Sequence, residues 1–159
     1  MTTTAEAAGG AAGNGRRLGA AAIDAGAIGL VVGVVLAATG PRAPALTAPG
    51  TLVLTGAVAM FYRMLSEGSP LAATPGKRVM GLRIRALSSG RLDFAVAALR
   101  AFPWWLSGAL AGVDPQLVPV GALLSGAALV PILFDAERRG LHDRLAGTAV
   151  VNDDRTGSE

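Results

Sequence analysis

The chain contains no cysteine, which excludes disulfides, a thiolate nucleophile and Cys-ligated metal. It contains a single histidine, so no metal site is expected, because such sites gather several His, Cys or carboxylate ligands. Aromatic residues make up 4% and charged residues 16% of its 159 positions, against 52% hydrophobic residues. That balance is too apolar for a soluble domain of this length, and a lipid bilayer is the expected solvent. The formal charge is +3 and the pI near 10.5, yet Lys and Arg are spread between apolar runs instead of forming one patch. A membrane surface, not nucleic acid, is therefore the expected partner of the basic charge. No nucleophile, metal cluster or paired carboxylates lie close in sequence, so neither an enzyme nor a cofactor is expected.

Four apolar runs can be read along the chain. Residues 1–15 are rich in Thr, Ala and Gly without periodicity and read as a disordered tail. An all-α membrane domain over 16–151 follows, with spans expected at about 18–39, 50–65, 95–113 and 117–134 and a polar tail at 152–159. The first run has the roughly 20 residues that cross a hydrocarbon core; the second is the weakest of the four. Pro41, Pro44 and Pro49 mark the first connection and Asp114-Pro115-Gln116 a tight turn between the last two spans. Residues 82–87 alternate as a short strand does, Ser88-Ser89-Gly90 offers a turn into residues 91–94, and Thr148 to Asn152 is a second β-like run. Gly29 with Gly33, Gly108 with Gly112, and Gly121 with Ser125 have the spacing that lets helices approach closely in lipid.

Basic residues set the topology. Arg16 and Arg17 precede the first span; Arg63, Lys77, Arg78, Arg83, Arg85, Arg91 and Arg100 fall in the middle segment; Arg138, Arg139, Arg144 and Arg155 follow the last span. Only Arg42 falls on the other side, an asymmetry that places both termini and the basic middle loop in the cytoplasm. Tyr62, Trp104, Trp105 and Phe134 fall near that same face, where rings favour the interface. The competing reading, Arg16-Arg17 as the start of a secretion signal, conflicts with Asp24 inside the apolar stretch and with three further apolar runs.

Arg17 and Asp24 share one helix face about two turns, or roughly 10 Å, apart. A charged Asp within a span costs roughly 2.5 to 3.5 kcal/mol and needs a partner, a wet cavity or a proton. Arg100 is the expected partner, either as a lock between helices or as part of a functional pair. The stretch Thr74-Pro75-Gly76-Lys77-Arg78-Val79-Met80-Gly81 reads as an interfacial element, with Gly76 in its turn and Lys77 and Arg78 held to anionic lipid or to a cytoplasmic partner. Near the end, His142 stands beside Asp143 and Arg144. With no second histidine a metal reading is weak, and Asp143 is expected to satisfy backbone or Arg donors.

The sequences Arg17-Leu-Gly-Ala-Ala-Ala-Ile-Asp24, Thr74-Pro-Gly-Lys-Arg-Val-Met-Gly-Leu-Arg-Ile84 and Leu141-His-Asp-Arg-Leu-Ala-Gly-Thr148, in this order with apolar spans between them, resemble the RDD family. The family is named for one arginine and two aspartates, which fall here on Arg17, Asp24 and Asp143. The first helix departs from it in its Ala and Gly content. The resemblance implies a multi-pass bacterial plasma-membrane protein, often linked with transport. Two functions are open: a transporter or transport subunit for a small ion, using Asp24 with Arg17 or Arg100, and a non-transporting scaffold or accessory subunit that presents its basic loop to a partner or to anionic lipid. Four short helices enclose little space, so a transport pathway calls for a homo-oligomer or a partner membrane protein.

Overall fold

The computed structural model describes residues 10–40, 47–87 and 92–153. Helix α1 (Asn14–Thr39) is followed by α2 (Ala48–Glu67), the short α3 (Pro75–Val79), strand β1 (Leu82–Ala86), α4 (Phe94–Arg100), α5 (Phe102–Val113), α6 (Val118–Leu129), α7 (Leu141–Leu145) and β2 (Thr148–Asn152). One 3-10 turn, Pro115–Leu117, leads into α6, and another, Val130–Leu133, extends it. Three helical segments have the length and apolarity to cross a membrane: Asn14–Thr39, Ala48–Glu67 and Pro115–Leu133. The protein is thus an all-α membrane fold with a small sheet, and α2, the span that looks weakest in sequence, is a helix of 20 residues.

The third span expected at 95–113 is not one straight helix. It divides into α4 and α5, which meet at Ala101 with a bend of 77°. Pro103 explains the break, since a proline ring within a helix removes an N–H donor and collides with the carbonyl four residues back. The bend places Arg100, the last residue of α4, in a buried position. Asp93 opens α4 by accepting a hydrogen bond from the Val96 N–H at 2.8 Å.

The two expected β runs pair with each other. Strand β1 runs antiparallel to β2, with Ile84 opposite Val150, so residues 92 and 93 lead into α4 and form no hairpin with β1; the turn expected at Ser88–Gly90 and Arg91 lies outside the described residues. Gly81 (φ 64°) and Gly147 (φ 61°) enter the strands through left-handed conformations that suit glycine. The disordered tail expected over 1–15 is corrected where it is described. Ala11 bridges Val151, the Ala12 N–H bonds to the Val150 carbonyl at 3.2 Å, and the helix starts at Asn14. Ala12 is drawn in because it packs with Ala20, Leu82, Ile84 and Val150 in one apolar cluster. Residues 1–9, Pro41, Arg42, Pro44 and Arg155 lie outside the described residues.

Within the bundle, α2 packs on α5 and α5 on α6, while α1 lies against α3 and α2. Ile28, Val32 and Ala59 form the α1–α2 contact, flanked by Tyr62 and Trp104. Of the small-residue pairs, Gly108 meets Gly56 and Gly121 meets Ser107, whereas Gly29 and Gly33 face open space. Among the described residues, that last pair packs against no other helix.

Candidate functional site

Two groups of buried charge adjoin each other at the end of the bundle where α1 begins. The first centres on Asp24. Its Oδ1 accepts hydrogen bonds from the Tyr62 hydroxyl at 2.8 Å and the Gly76 N–H at 2.9 Å, and its Oδ2 accepts one from the Thr74 hydroxyl at 2.6 Å. Three donors converging on one carboxylate meet most of its acceptor capacity. The Thr74-Pro75-Gly76 sequence produces this arrangement. Thr74 caps α3 by accepting from the Lys77 N–H, Pro75 begins the helix, and Gly76 approaches so closely that a Cβ there would stand 2.7 Å from Asp24 Oδ1.

The centre of the second group ties α2, α3, α4 and α7 together. Glu67, at the end of α2, binds the Lys77 ammonium of α3 through Oε1 and Arg100 Nη1 of α4 through Oε2 at 3.0 Å. Arg100 turns its Nη2 to Asp143 Oδ1 at 2.7 Å and its Nε to Asp143 Oδ1 and the Thr148 hydroxyl at 3.0 and 3.1 Å. Asp143 also accepts from the Gly140 N–H at 3.2 Å and stands 3.9 Å from Arg17 Nη1. Arg63 lies 3.8 Å from Glu67 and stacks its guanidinium over Trp104 at 4.0 Å; Trp104 in turn meets the His142 ring edge-on. Burial draws Lys77 down to about 8 against the pull of Glu67, so its ammonium stays charged at neutral pH. Burial pushes His142 down to about 4, the neighbouring Asp143 offsetting only part of the effect.

A cavity of about 500 Å³ opens beside both groups. Arg17, Asp24, Arg63, Lys77, Arg100 and Asp143 are among its lining residues, together with apolar side chains of α1 and of α6 and its 3-10 extension, and its surface is mostly apolar. Arg63 is 3% exposed, and its Nε has no hydrogen-bond partner. Among the described residues no group of His or acidic side chains is arranged to hold a metal ion.

A family model described as the RDD family matches residues 11–147, most of the chain. The chain belongs to the RDD family. No match was found among curated proteins or among solved structures. Arg17, Asp24 and Asp143, onto which the resemblance maps the arginine and two aspartates of the family's name, all line the same cavity, with Arg17 Nη1 3.9 Å from Asp143.

Two expectations need correction. Arg100 does not pair with Asp24, because the break at Ala101 directs it to Glu67 and Asp143 while Tyr62, Thr74 and Gly76 satisfy Asp24. Lys77 is not free to meet lipid or a partner, because its ammonium is bound to Glu67. Gly76 and Lys77 are buried against α1 and α2, leaving Arg78 exposed. Arg144 belongs to a separate surface cluster, 2.7 Å from Asp135. Sequence reasoning missed Glu67, Arg63 and Trp104 as members of the RDD site. Arg63 and Glu67 have a helical four-residue spacing at the close of an apolar span, which was a usable signal for the first two.

Proposed function

We propose that this RDD protein is a non-enzymatic membrane-embedded binding domain of transport type whose charged cavity takes a small anion. The cavity then lies at the cytoplasmic face of a bacterial plasma membrane, with both termini on that side, as the distribution of Arg and Lys favours. The observation that carries this reading is the gathering of four cations, Arg17, Arg63, Lys77 and Arg100, among the residues that line the cavity. Three of them, Arg63, Lys77 and Arg100, are buried and matched by the buried carboxylates of Asp24, Glu67 and Asp143, while Arg17 is partly exposed. Arg17, the cation in excess of those buried pairs, is the one that an entering anion neutralises. Asp24, held by three donors, supports a positioning role better than that of an exchanging proton carrier.

The test is anion flux in proteoliposomes, comparing the intact protein with Arg17→Gln. Efflux of chloride or phosphate that Arg17→Gln abolishes in folded protein supports the reading; absence of anion flux alongside Na⁺- or K⁺-driven proton movement would overturn it. A second reading, a scaffold or accessory subunit, draws support from the way Glu67, Lys77, Arg100 and Asp143 tie α2, α3, α4 and α7 together. Under it, Asp24→Asn disrupts assembly with a partner and no flux is found with either protein.

A further inference from the structure

Helix α1 packs on α3 and α2, and α6 packs on α5 and α7, so that a slot remains between α1 and α6, and the cavity runs into it. Leu18 and Ala21 line the slot on the α1 side; Gly126, Leu129, Val130 and Leu133 line it from α6 and its 3-10 extension. Leu18, Val130 and Leu133 are also 74%, 50% and 68% exposed, and both segments have the length and apolarity to cross a membrane. These three side chains therefore belong to the lipid-facing surface, and the slot continues that surface inward. Between its walls a polar guest finds little to bind. The cavity surface is mostly apolar, Arg63 Nε and His142 Nδ1 are enclosed by protein, and Asp24 is held by three donors of its own. Apolar cavities exclude water and admit apolar guests, and an empty one forfeits dispersion contacts along its lining. The volume of about 500 Å³ lies in the range of ligand sites.

We propose that this slot holds one acyl chain of a bilayer phospholipid, which enters sideways between α1 and α6 and is bound by its hydrocarbon alone. The headgroup and the second chain stay in the leaflet. The inserted chain completes the contact between α1 and α6 that the protein's own side chains leave open, and it reaches Trp104, which lines the same cavity. The gain is close packing and dispersion, not the hydrophobic effect, because the chain passes from one apolar medium to another. Selection therefore rests on shape: a bulky side chain placed in the slot competes with the acyl chain, and the charge of the headgroup makes no difference. This inference goes beyond the anion reading and does not depend on it, since an anion meets the partly exposed Arg17 whereas the chain uses the apolar walls.

Gly126 offers the decisive variant. A Cβ there meets nothing within 4 Å, so Gly126→Leu fills the slot from the α6 side without striking backbone. Ala21→Leu fills it from the α1 side and keeps the test open if the first variant fails to fold. Leu123→Ala, at an exposed position of α6 outside the cavity lining, is the control. The readout is Trp104 fluorescence in protein carrying Trp105→Phe, since the chain has two tryptophans. The protein is reconstituted in phosphatidylcholine with brominated acyl chains, which quench indole on contact, and in parallel with the same brominated chains carried by phosphatidic acid; helical circular dichroism checks the fold of each variant. The expected result is strong quenching of Trp104, equal for the two lipids at equal bromine content, kept in Leu123→Ala and largely lost in Gly126→Leu and Ala21→Leu. Quenching that persists in the filled variants comes from lipid at the outer surface and overturns the proposal. Stronger quenching by phosphatidic acid also overturns it, because the headgroup is then what the site reads. Absence of quenching in the unfilled protein means that something other than lipid closes the slot, and cross-linking into dimers would name a second copy of the chain as the occupant in its place.

Discussion

At the end where α1 begins, α2, α3, α4 and α7 are joined by charged groups with short, directed bonds, as from Glu67 to Arg100 and from Arg100 to Asp143. Farther along the bundle, α2 and α5 meet backbone to backbone at Gly56 and Gly108, and α5 meets α6 where Gly121 faces Ser107. The difference follows from the solvent. Apolar helices gain little by leaving lipid for one another, so their contact depends on small residues that permit close van der Waals approach. Near the interface, charged side chains cannot be left unpaired, and their bonds specify which helix ends come together. One end of the protein is specified by electrostatics and the rest by shape.

Breaking the electrostatic end has the largest expected effect. Glu67→Ala leaves Lys77, Arg63 and Arg100 facing one another without their shared counter-charge, at a cost of about 3 to 5 kcal/mol. Denaturant titration in detergent micelles, followed by helical circular dichroism, measures it. A loss below about 1 kcal/mol would mean that the three cations are solvated in a way the buried geometry does not suggest.

Acid attacks the same end through His142. Its folded pKa of about 4 lies below the unfolded value of about 6.5. Above pH 6.5 both states are neutral at this site, and the stabilisation is complete. As pH falls from 6.5 towards 4 the unfolded chain binds a proton that the folded chain refuses, so stability declines across this window, by about 3 kcal/mol at most. His142→Gln should flatten the dependence of Tm on pH between 6.5 and 5. A slope unchanged in that variant assigns the acid sensitivity to other groups.

Much of the shape-driven half was legible in sequence, because long apolar runs and glycine spacing are local signals; the first, second and fourth spans needed only length and hydropathy. The charged end was legible in part. Asp24 and Asp143 stand out as carboxylates beside apolar or basic neighbours, but their partners come from 50 and 43 residues away, at Thr74 and Arg100, and nothing local links them. A straight third span would bring Arg100 to Asp24; the break that Pro103 signals turns it to Glu67 and Asp143 instead. Lys77 looked like a surface cation because a basic pair in a loop is normally solvated, whereas burial beside Glu67 appears only once α2 and α3 are packed.

The shape-driven half offers the smaller test. A Cβ at Gly108 would stand 2.5 Å from the Leu52 carbonyl oxygen and 2.9 Å from Gly56 Cα, both backbone atoms that cannot rotate aside. Gly108→Ala should therefore push α5 off α2 and cost about 2 kcal/mol. Gly33 carries the same residue type at the same kind of spacing, yet a Cβ there meets nothing within 4 Å. Gly33→Ala should leave the stability of the isolated chain unchanged or raise it by up to about 1 kcal/mol, since alanine is the better helix former. Measuring both variants in dilute micelles and again in vesicles at high protein-to-lipid ratio sharpens the contrast. Gly108→Ala should lose stability in both settings. A penalty for Gly33→Ala that appears only in the crowded vesicles would mean that this open face of α1 is covered by another chain, and that the glycine spacing there packs helices between molecules.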